Sequence, residues 1–137
     1  MLIYIEPLAK VFVNNKVYNG EKVKGKLFGG FCECGGLMVQ KAWINVDGYN
    51  YLISECEKCW KNEVMEFNNL SLIKRNSVKV VDRANIKEFL KEHLSETEIE
   101  AMKDKVSGKD YNYNAFSRAK KKLEELGLDY KEISHLL

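Results

Sequence analysis

The sequence predicts an α+β protein, with a β-rich half over residues 1–81 and a half of three to four helices over residues 82–137. Three observations carry that prediction. Cys32, Cys34, Cys56 and Cys59 fall within 28 residues of each other as two close pairs. An Asp47-Gly48 step between the pairs is flanked by alternating apolar and polar residues. From Asp82 onward the apolar period changes from about 2 to about 3.6 residues. The chain has 137 residues, 45% hydrophobic and 31% charged. That is enough for one domain or two small ones, and apolar enough to exclude wholesale disorder.

The N-terminal arm reads as strands. Leu2 to Ile5 and Leu8 to Val13 are rich in β-branched and aromatic residues. Asn14-Asn15 and Asn19-Gly20 are the expected turns. Lys22, Lys24 and Lys26 alternate with Val23, Gly25 and Leu27, as on an edge strand whose cations discourage aggregation or meet phosphates.

Between the cysteine pairs the sequence predicts a hairpin. Leu37 to Val46 and Tyr49 to Glu55 flank Asp47-Gly48, a strong signal for a two-residue turn. The turn sets Val46 opposite Tyr49, Ile44 opposite Tyr51, Ala42 opposite Ile53, Trp43 opposite Leu52 and Val39 opposite Cys56. A third strand is expected over Glu63 to Asn68, and a further hairpin over Leu70 to Val81 around Asn76-Ser77.

Two thiol pairs on tight turns, joined by a hairpin, have the form of a tetrahedral metal site. Cys32-Glu33-Cys34-Gly35-Gly36, Asp47-Gly48 and Cys56-Glu57-Lys58-Cys59 together resemble a zinc ribbon over about residues 31–67. In that family the four cysteines hold one structural zinc, and the resemblance implies that role for these four. The first turn here, with only Glu33 between its cysteines, is shorter than usual. Rubredoxin-like iron uses the same four-thiolate set, so zinc is the expected metal and iron its rival. A redox dithiol would need a βαβ setting that the sequence lacks. Four thiolates close the coordination sphere, which argues against catalytic zinc. A ribbon of about 40 residues buries too little apolar area to fold alone, and zinc adds on the order of 10 kcal/mol. Trp60, just after the last cysteine, is expected to shield the metal.

The helical half opens with the stripe Ile86, Phe89, Leu90, His93 and Leu94. Ser95 then caps a second helix, with Glu98 completing a capping box and Ile99, Met102 and Val106 on one side. Gly108 breaks it. A third helix starts near Asn114, carries Phe116, Ala119, Leu123 and Leu126, and ends at Gly127. A short fourth follows Asp129 with Tyr130, Ile133 and Leu137. His93 reads as a core residue and His135 as a surface one.

A Gly-containing link before a basic helix resembles a helix-turn-helix unit. The Arg118-Ala119-Lys120-Lys121 segment is similar to the end of such modules in some mobile-element replication proteins. The resemblance implies that Ser117, Arg118, Lys120, Lys121 and Lys122 contact phosphates and base edges. A solvated helix face, with Lys121 and Glu125 paired, is the plainer alternative. Trp43 with Lys41 on the hairpin would suit base stacking, or Trp43 packs under a neighbouring element.

The charge balance is 22 basic against 20 acidic residues, too mild to announce a polyanion binder. The longest uncharged stretch is seven residues and no secretory signal is present, so the sequence predicts a cytoplasmic protein with no membrane span. It has no phosphate loop, nucleophile motif or His-Glu metal helix, and no small-molecule substrate is evident. The expected function is non-enzymatic nucleic-acid binding, DNA before RNA, as a regulator or accessory factor of transcription, replication or translation. The rival is a protein-interaction adaptor in a larger assembly.

Overall fold

The computed structural model describes residues 2–137. The chain forms two compact units, one taking in the residues up to Asn14 and Tyr18–Val80, the other Asn15–Val17 and Val81–Leu137.

The strands are β1 (Leu2–Ile5), β2 (Lys10–Val13), β3 (Lys16–Lys22), β4 (Phe28–Phe31), β5 (Leu37–Val46), β6 (Tyr49–Cys56), β7 (Asn62–Asn68), β8 (Ser71–Ser77) and β9 (Lys79–Val81). They form one sheet in the order β8-β7-β6-β5-β3-β2-β1-β9, with β4 added alongside β5. A 3-10 turn at Glu6–Leu8, holding Pro7 in its first positions, links β1 to β2. Asn14 and Asn15 link β2 to β3 with both residues left-handed, at φ 49° and 62°. Asn tolerates that conformation because its short side chain can hydrogen-bond locally.

The β5–β6 hairpin has the expected register near its turn. Val46 faces Tyr49, Ile44 faces Tyr51, Trp43 faces Leu52 and Ala42 faces Ile53. Asp47 and Gly48 take φ 52° and 90°, as a two-residue turn with both central residues left-handed requires. Beyond Ala42 the expected register fails. A bulge between Gln40 and Ala42 shifts the pairing, so Met38 and not Val39 faces Cys56.

That bulge has a consequence for packing. Ala42, Ile44 and Val46 share one cluster with Tyr4, Val11, Ile53 and Val64. Met38 belongs to a second cluster, with Cys32, Leu52, Cys56 and Met65, against which Trp43 and Phe67 pack. Strict alternation would place Met38 on the Ala42 face, and the extra residue moves it to the cysteine face.

Three expectations for this half are corrected. Asn19-Gly20 is not a turn but lies inside β3, where Gly20 pairs with Ile44. A Cβ there would lie 2.8 Å from Ile44 Cγ1 and 2.9 Å from the Ala9 carbonyl oxygen, so close approach explains the glycine. Lys22, Lys24 and Lys26 do not share a strand face, because β3 ends at Lys22 and Gly25 turns the following loop at φ 76°. Asn76-Ser77 does not make a hairpin. β8 runs through it, and the turn falls earlier, where Asn69 takes φ 56°. β9 then pairs with β1.

The second unit holds α1 (Ile86–Lys91), α2 (Glu96–Val106), α3 (Tyr113–Leu126) and α4 (Tyr130–Ser134). Ser95 and Glu98 form the expected reciprocal cap of α2. Asn112 caps α3, Gly127 ends it at φ 86°, and Asp129 caps α4. Ile86, Phe89 and Leu90, Ile99 and Met102, Ala115, Phe116, Ala119 and Leu123, and Ile133 are the buried faces of the four helices. The α2–α3 link, residues 107–112, is longer than the turn of about three or four residues in a helix-turn-helix unit. Among the described residues no helix is long and apolar enough to cross a membrane.

Candidate metal centre

The four cysteines converge. Their sulfur atoms all lie within 4.8 Å of one another, and the group could hold a metal ion. Cys34 and Cys56 Sγ lie 3.5 Å apart, and Cys32 and Cys59 Sγ 3.6 Å apart. Four sulfurs about 2.3 Å from a tetrahedral zinc would stand about 3.8 Å apart. The donor set therefore fits a four-thiolate ion in spacing as well as in number.

Each pair sits on a backbone loop stitched by its own hydrogen bonds. In the first, Gly35 N–H donates to the Cys32 carbonyl and Cys32 N–H to the Gly36 carbonyl, both at 2.9 Å. Gly35 takes φ 91°, which suits glycine. In the second, Trp60 N–H donates to the Cys56 carbonyl at 3.0 Å and Cys56 N–H to the Lys61 carbonyl at 2.9 Å. Glu57 N–H reaches the Leu37 carbonyl at 3.0 Å, tying the second loop to the start of β5.

The electrostatics point the same way. The Cys59 and Lys58 N–H groups aim at Cys56 Sγ from 3.5 and 3.3 Å. They hold its thiol down to about 6, against the opposing effect of burial. The Lys61 N–H pulls the Cys59 thiol down too, but the Cys34, Cys32 and Cys56 sulfurs and burial outweigh it and push Cys59 up to about 12. Thiols this close cannot all ionise without a cation among them.

Arg75, on β8, braces this centre. Its guanidinium is paired with Glu63, donates to the Phe31 carbonyl at 2.8 Å and approaches Met38 Sδ at 3.6 Å. Glu63 is buried, so the pair links β7 and β8 to the residue before Cys32. Sequence reasoning missed Arg75, and no local signal marks it, because it lies 43 residues after Cys32.

Trp60 does not cover the cluster, since it is 66% exposed. Phe28 and Phe31 are exposed as well, at 59% and 65%, with their rings edge to face at 5.1 Å. Leu37, paired with Phe31, is also exposed. An apolar rim thus stands in solvent on the segments leading into and out of the thiol loops. The Leu27-Phe28-Gly29-Gly30-Phe31 run, apolar with no alternating polar residue, is the signal that could have found it.

The other candidates fall in separate places. Trp43 is half-buried, its ring 5.7 Å from Phe67 and its Nε1 donating to Gln40 Oε1 at 3.0 Å. Lys41 lies 3.8 Å from Glu55. On α3, Lys122 Nζ donates to Glu98 Oε1 at 2.8 Å and Arg118 Nε lies 3.7 Å from Glu98 Oε2. Lys120 stands over the Tyr130 ring at 5.5 Å. Ser117 and Lys121 are exposed.

Comparison with known proteins follows this division. Residues 1–80 match the AF0631-like N-terminal beta-barrel domain, and residues 83–135 match the AF0631-like C-terminal four-helix domain. The chain belongs to the AF0631-like family. An uncharacterized protein of Archaeoglobus fulgidus is 42% identical over 133 residues, covering 97% of this chain and 96% of that one. No solved structure matches. The AF0631-like chain is thus an α+β protein, a β-rich barrel-like domain followed by a four-helix domain.

Proposed function

We propose that this AF0631-like protein binds single-stranded nucleic acid through its cysteine-rich half, as a non-enzymatic accessory factor. One structural zinc would be held by Cys32, Cys34, Cys56 and Cys59. The observation that carries the reading is the aromatic rim beside the thiol cluster, where Phe28, Phe31 and Trp60 are each more than half exposed. Rings kept in water beside lysines suit unpaired bases, since every base has a face to stack. Lys58, whose ammonium touches the Cys34 carbonyl at 3.4 Å, and Lys26, on the loop before β4, supply charge nearby.

The zinc ribbon is part of the same proposal. Two thiol loops joined by the β5–β6 hairpin, with β7 alongside, support it. The metal would hold the rim in place and take no part in chemistry, because four thiolates leave no open position. Elemental analysis of purified protein is expected to give one zinc per chain. Iron in its place would revise the metal and leave the fold argument standing.

The helix-turn-helix reading is weaker. Arg118 and Lys122 are drawn to Glu98, and Lys120 is drawn to Tyr130. That arrangement favours the plainer alternative for the helices, a solvated face whose cations pair within the helical unit.

The deciding experiment is an anisotropy titration against single-stranded DNA, single-stranded RNA and duplex DNA at low and moderate salt. Single strands are expected to bind ahead of duplex, with Phe31→Ala weakening them more than Lys121→Ala. Absence of binding to all three at low salt would overturn the nucleic-acid reading and leave the adaptor.

A further inference from the structure

A groove of about 670 Å³ opens beside the second thiol loop. Its walls include Trp60, Lys22, Lys26, Lys41, Gln40 and Tyr4. Two local distortions shape it.

The first is at Trp60, whose φ is 64°. Among the described residues the other non-glycine residues with positive φ are Ala9, Asn14, Asn15, Asp47 and Asn69, all small or of the Asn/Asp type. A bulky aromatic in that region is a strained outlier that the surrounding structure must hold in place. Burial of the indole does not offset it, because the ring is 66% exposed. What holds it is the thiol loop, through the Trp60 N–H to Cys56 carbonyl bond and the adjoining Cys59. The second distortion is the bulge between Gln40 and Ala42, which breaks the alternation of β5 at Lys41. Bulges re-aim side chains, and Lys41 lines the same groove.

The groove's formal charges cancel. Lys22, Lys26 and Lys41 face Glu6, Glu55 and Glu57. Lys26 meets Glu57 at 2.9 Å in a pair open to solvent, and Lys41 meets Glu55 at 3.8 Å in a half-buried but loosely spaced one. Such pairs are weak enough for a phosphate to displace the carboxylate. A neutral groove around a presented indole selects for stacking over bulk charge.

We propose that this groove holds one unpaired nucleotide of a single strand, its base stacked on Trp60 and its phosphate met by Lys22 and Lys41. The thiol loop sets the ring, so metal loading assembles the site. The assignment rests on the nucleic-acid reading above and narrows it to one position on the surface. Because the groove is neutral, binding at this position is expected to fall only shallowly with salt, as for about one phosphate.

The test uses the full metal-loaded chain carrying Trp43→Phe, which leaves Trp60 as the single tryptophan. An eight-nucleotide oligothymidylate, an eight-nucleotide oligouridylate and adenosine monophosphate are titrated while Trp60 emission is read. Quenching by an oligonucleotide, at lower concentration than by the mononucleotide, is expected. Trp60→Ala should weaken oligonucleotide binding about tenfold or more, as loss of one stacked base does, and Trp60→Phe should restore most of it. Chelation of the metal should abolish the quenching. Oligonucleotide binding by anisotropy with no change in Trp60 emission would overturn the groove assignment and leave the nucleic-acid reading intact. Quenching by the mononucleotide as strong as by the oligonucleotides would overturn the assignment to a strand. No binding of any probe by either readout would overturn both. The emission readout needs no Trp60 variant, so misfolding of Trp60→Ala would not spare the proposal.

Discussion

Gly35 and Gly36 are neighbours with different reasons to be glycine. A Cβ on Gly36 would lie 2.6 Å from Cys56 Sγ, 2.7 Å from Lys58 Cβ and 3.3 Å from Cys34 Sγ, in the space between the two thiol loops. A Cβ on Gly35 would meet nothing within 4 Å, but the residue takes φ 91°. The first glycine answers to packing against the cysteine sulfurs, the second to the backbone. Gly36→Ala is therefore expected to weaken metal affinity about 10- to 100-fold, the range found when the surroundings of metal ligands are disturbed. Gly35→Ala should cost about 1 kcal/mol or more of stability while the metal affinity changes much less. Competition against a chromogenic chelator, with thermal unfolding of the loaded protein, separates the two. Equal losses of affinity would show that the Gly36 contacts are not what sets it. The cysteines themselves were legible because ligand chemistry is written in short spacings. Trp60 was misjudged because exposure depends on what the fold leaves uncovered.

At the scale of elements, α2 and α3 are joined by one buried carboxylate. Glu98 caps its own helix, accepting from Ser95 N–H at 2.8 Å, and accepts from Lys122 of α3 at 2.8 Å. It is 1% exposed. Burial raises its pKa, but the Lys122 ammonium and the Ser95 N–H overcome that and hold it below the usual carboxylate range. A lowered pKa in the folded state gives stability that is full above the unfolded value and lost as pH falls through the folded one. The helical domain should thus lose stability on acidification below about pH 4, the ordinary range for Glu. Glu98→Gln should cost about 1–3 kcal/mol at neutral pH, as loss of a charged hydrogen-bond partner does. It should also flatten that acid limb, read by thermal unfolding at 222 nm. An unchanged acid limb would place the sensitivity on another group. Sequence patterning found Glu98 as a cap and Lys122 as a surface cation but not their union, because 24 residues separate them. β5 teaches the same lesson. Its hairpin end was legible because the Asp47-Gly48 turn dictates register. Its bulge was not, because partners outside the hairpin accompany it. Val23 N–H donates to the Lys41 carbonyl and Gln40 N–H to the Leu27 carbonyl, both at 2.9 Å. Gly20 looked like a turn residue for a similar reason, as the Ile44 side chain that crowds it is remote in sequence. Gly20→Ala should cost about 1–3 kcal/mol by overpacking, a loss that an exposed turn glycine at ordinary φ would not show in the same melt.

Over the whole molecule, a metal ion held by the four cysteines would support one part of the structure more than the rest. Cys32 and Cys56 are packed into the cluster with Met38, Leu52 and Met65. The neighbouring cluster of Tyr4, Val11, Ala42, Ile44, Val46, Ile53 and Val64 contains no cysteine, and neither do the buried faces of α1 to α4. A structural four-thiolate ion contributes on the order of 10 kcal/mol to what it holds. Without it, four clustered sulfurs with no ion to hold them together remain at the end of β4, the start of β5 and the end of β6. Removal of the metal is therefore expected to loosen the structure from that end. Hydrogen exchange by mass spectrometry should show lost protection first in the thiol loops, residues 32–37 and 56–61. The halves of β5 and β6 next to the Asp47-Gly48 turn should follow later, because their side chains belong to the cysteine-free cluster. The amides of α2 and α3 should keep most of their protection, since their bonds and buried faces involve no ligand. Simultaneous loss in all three regions would show that the ion stabilises the entire chain as one cooperative unit. Ordered loss would mean that it governs a local surface, and that surface carries the exposed aromatics Phe28, Phe31 and Trp60.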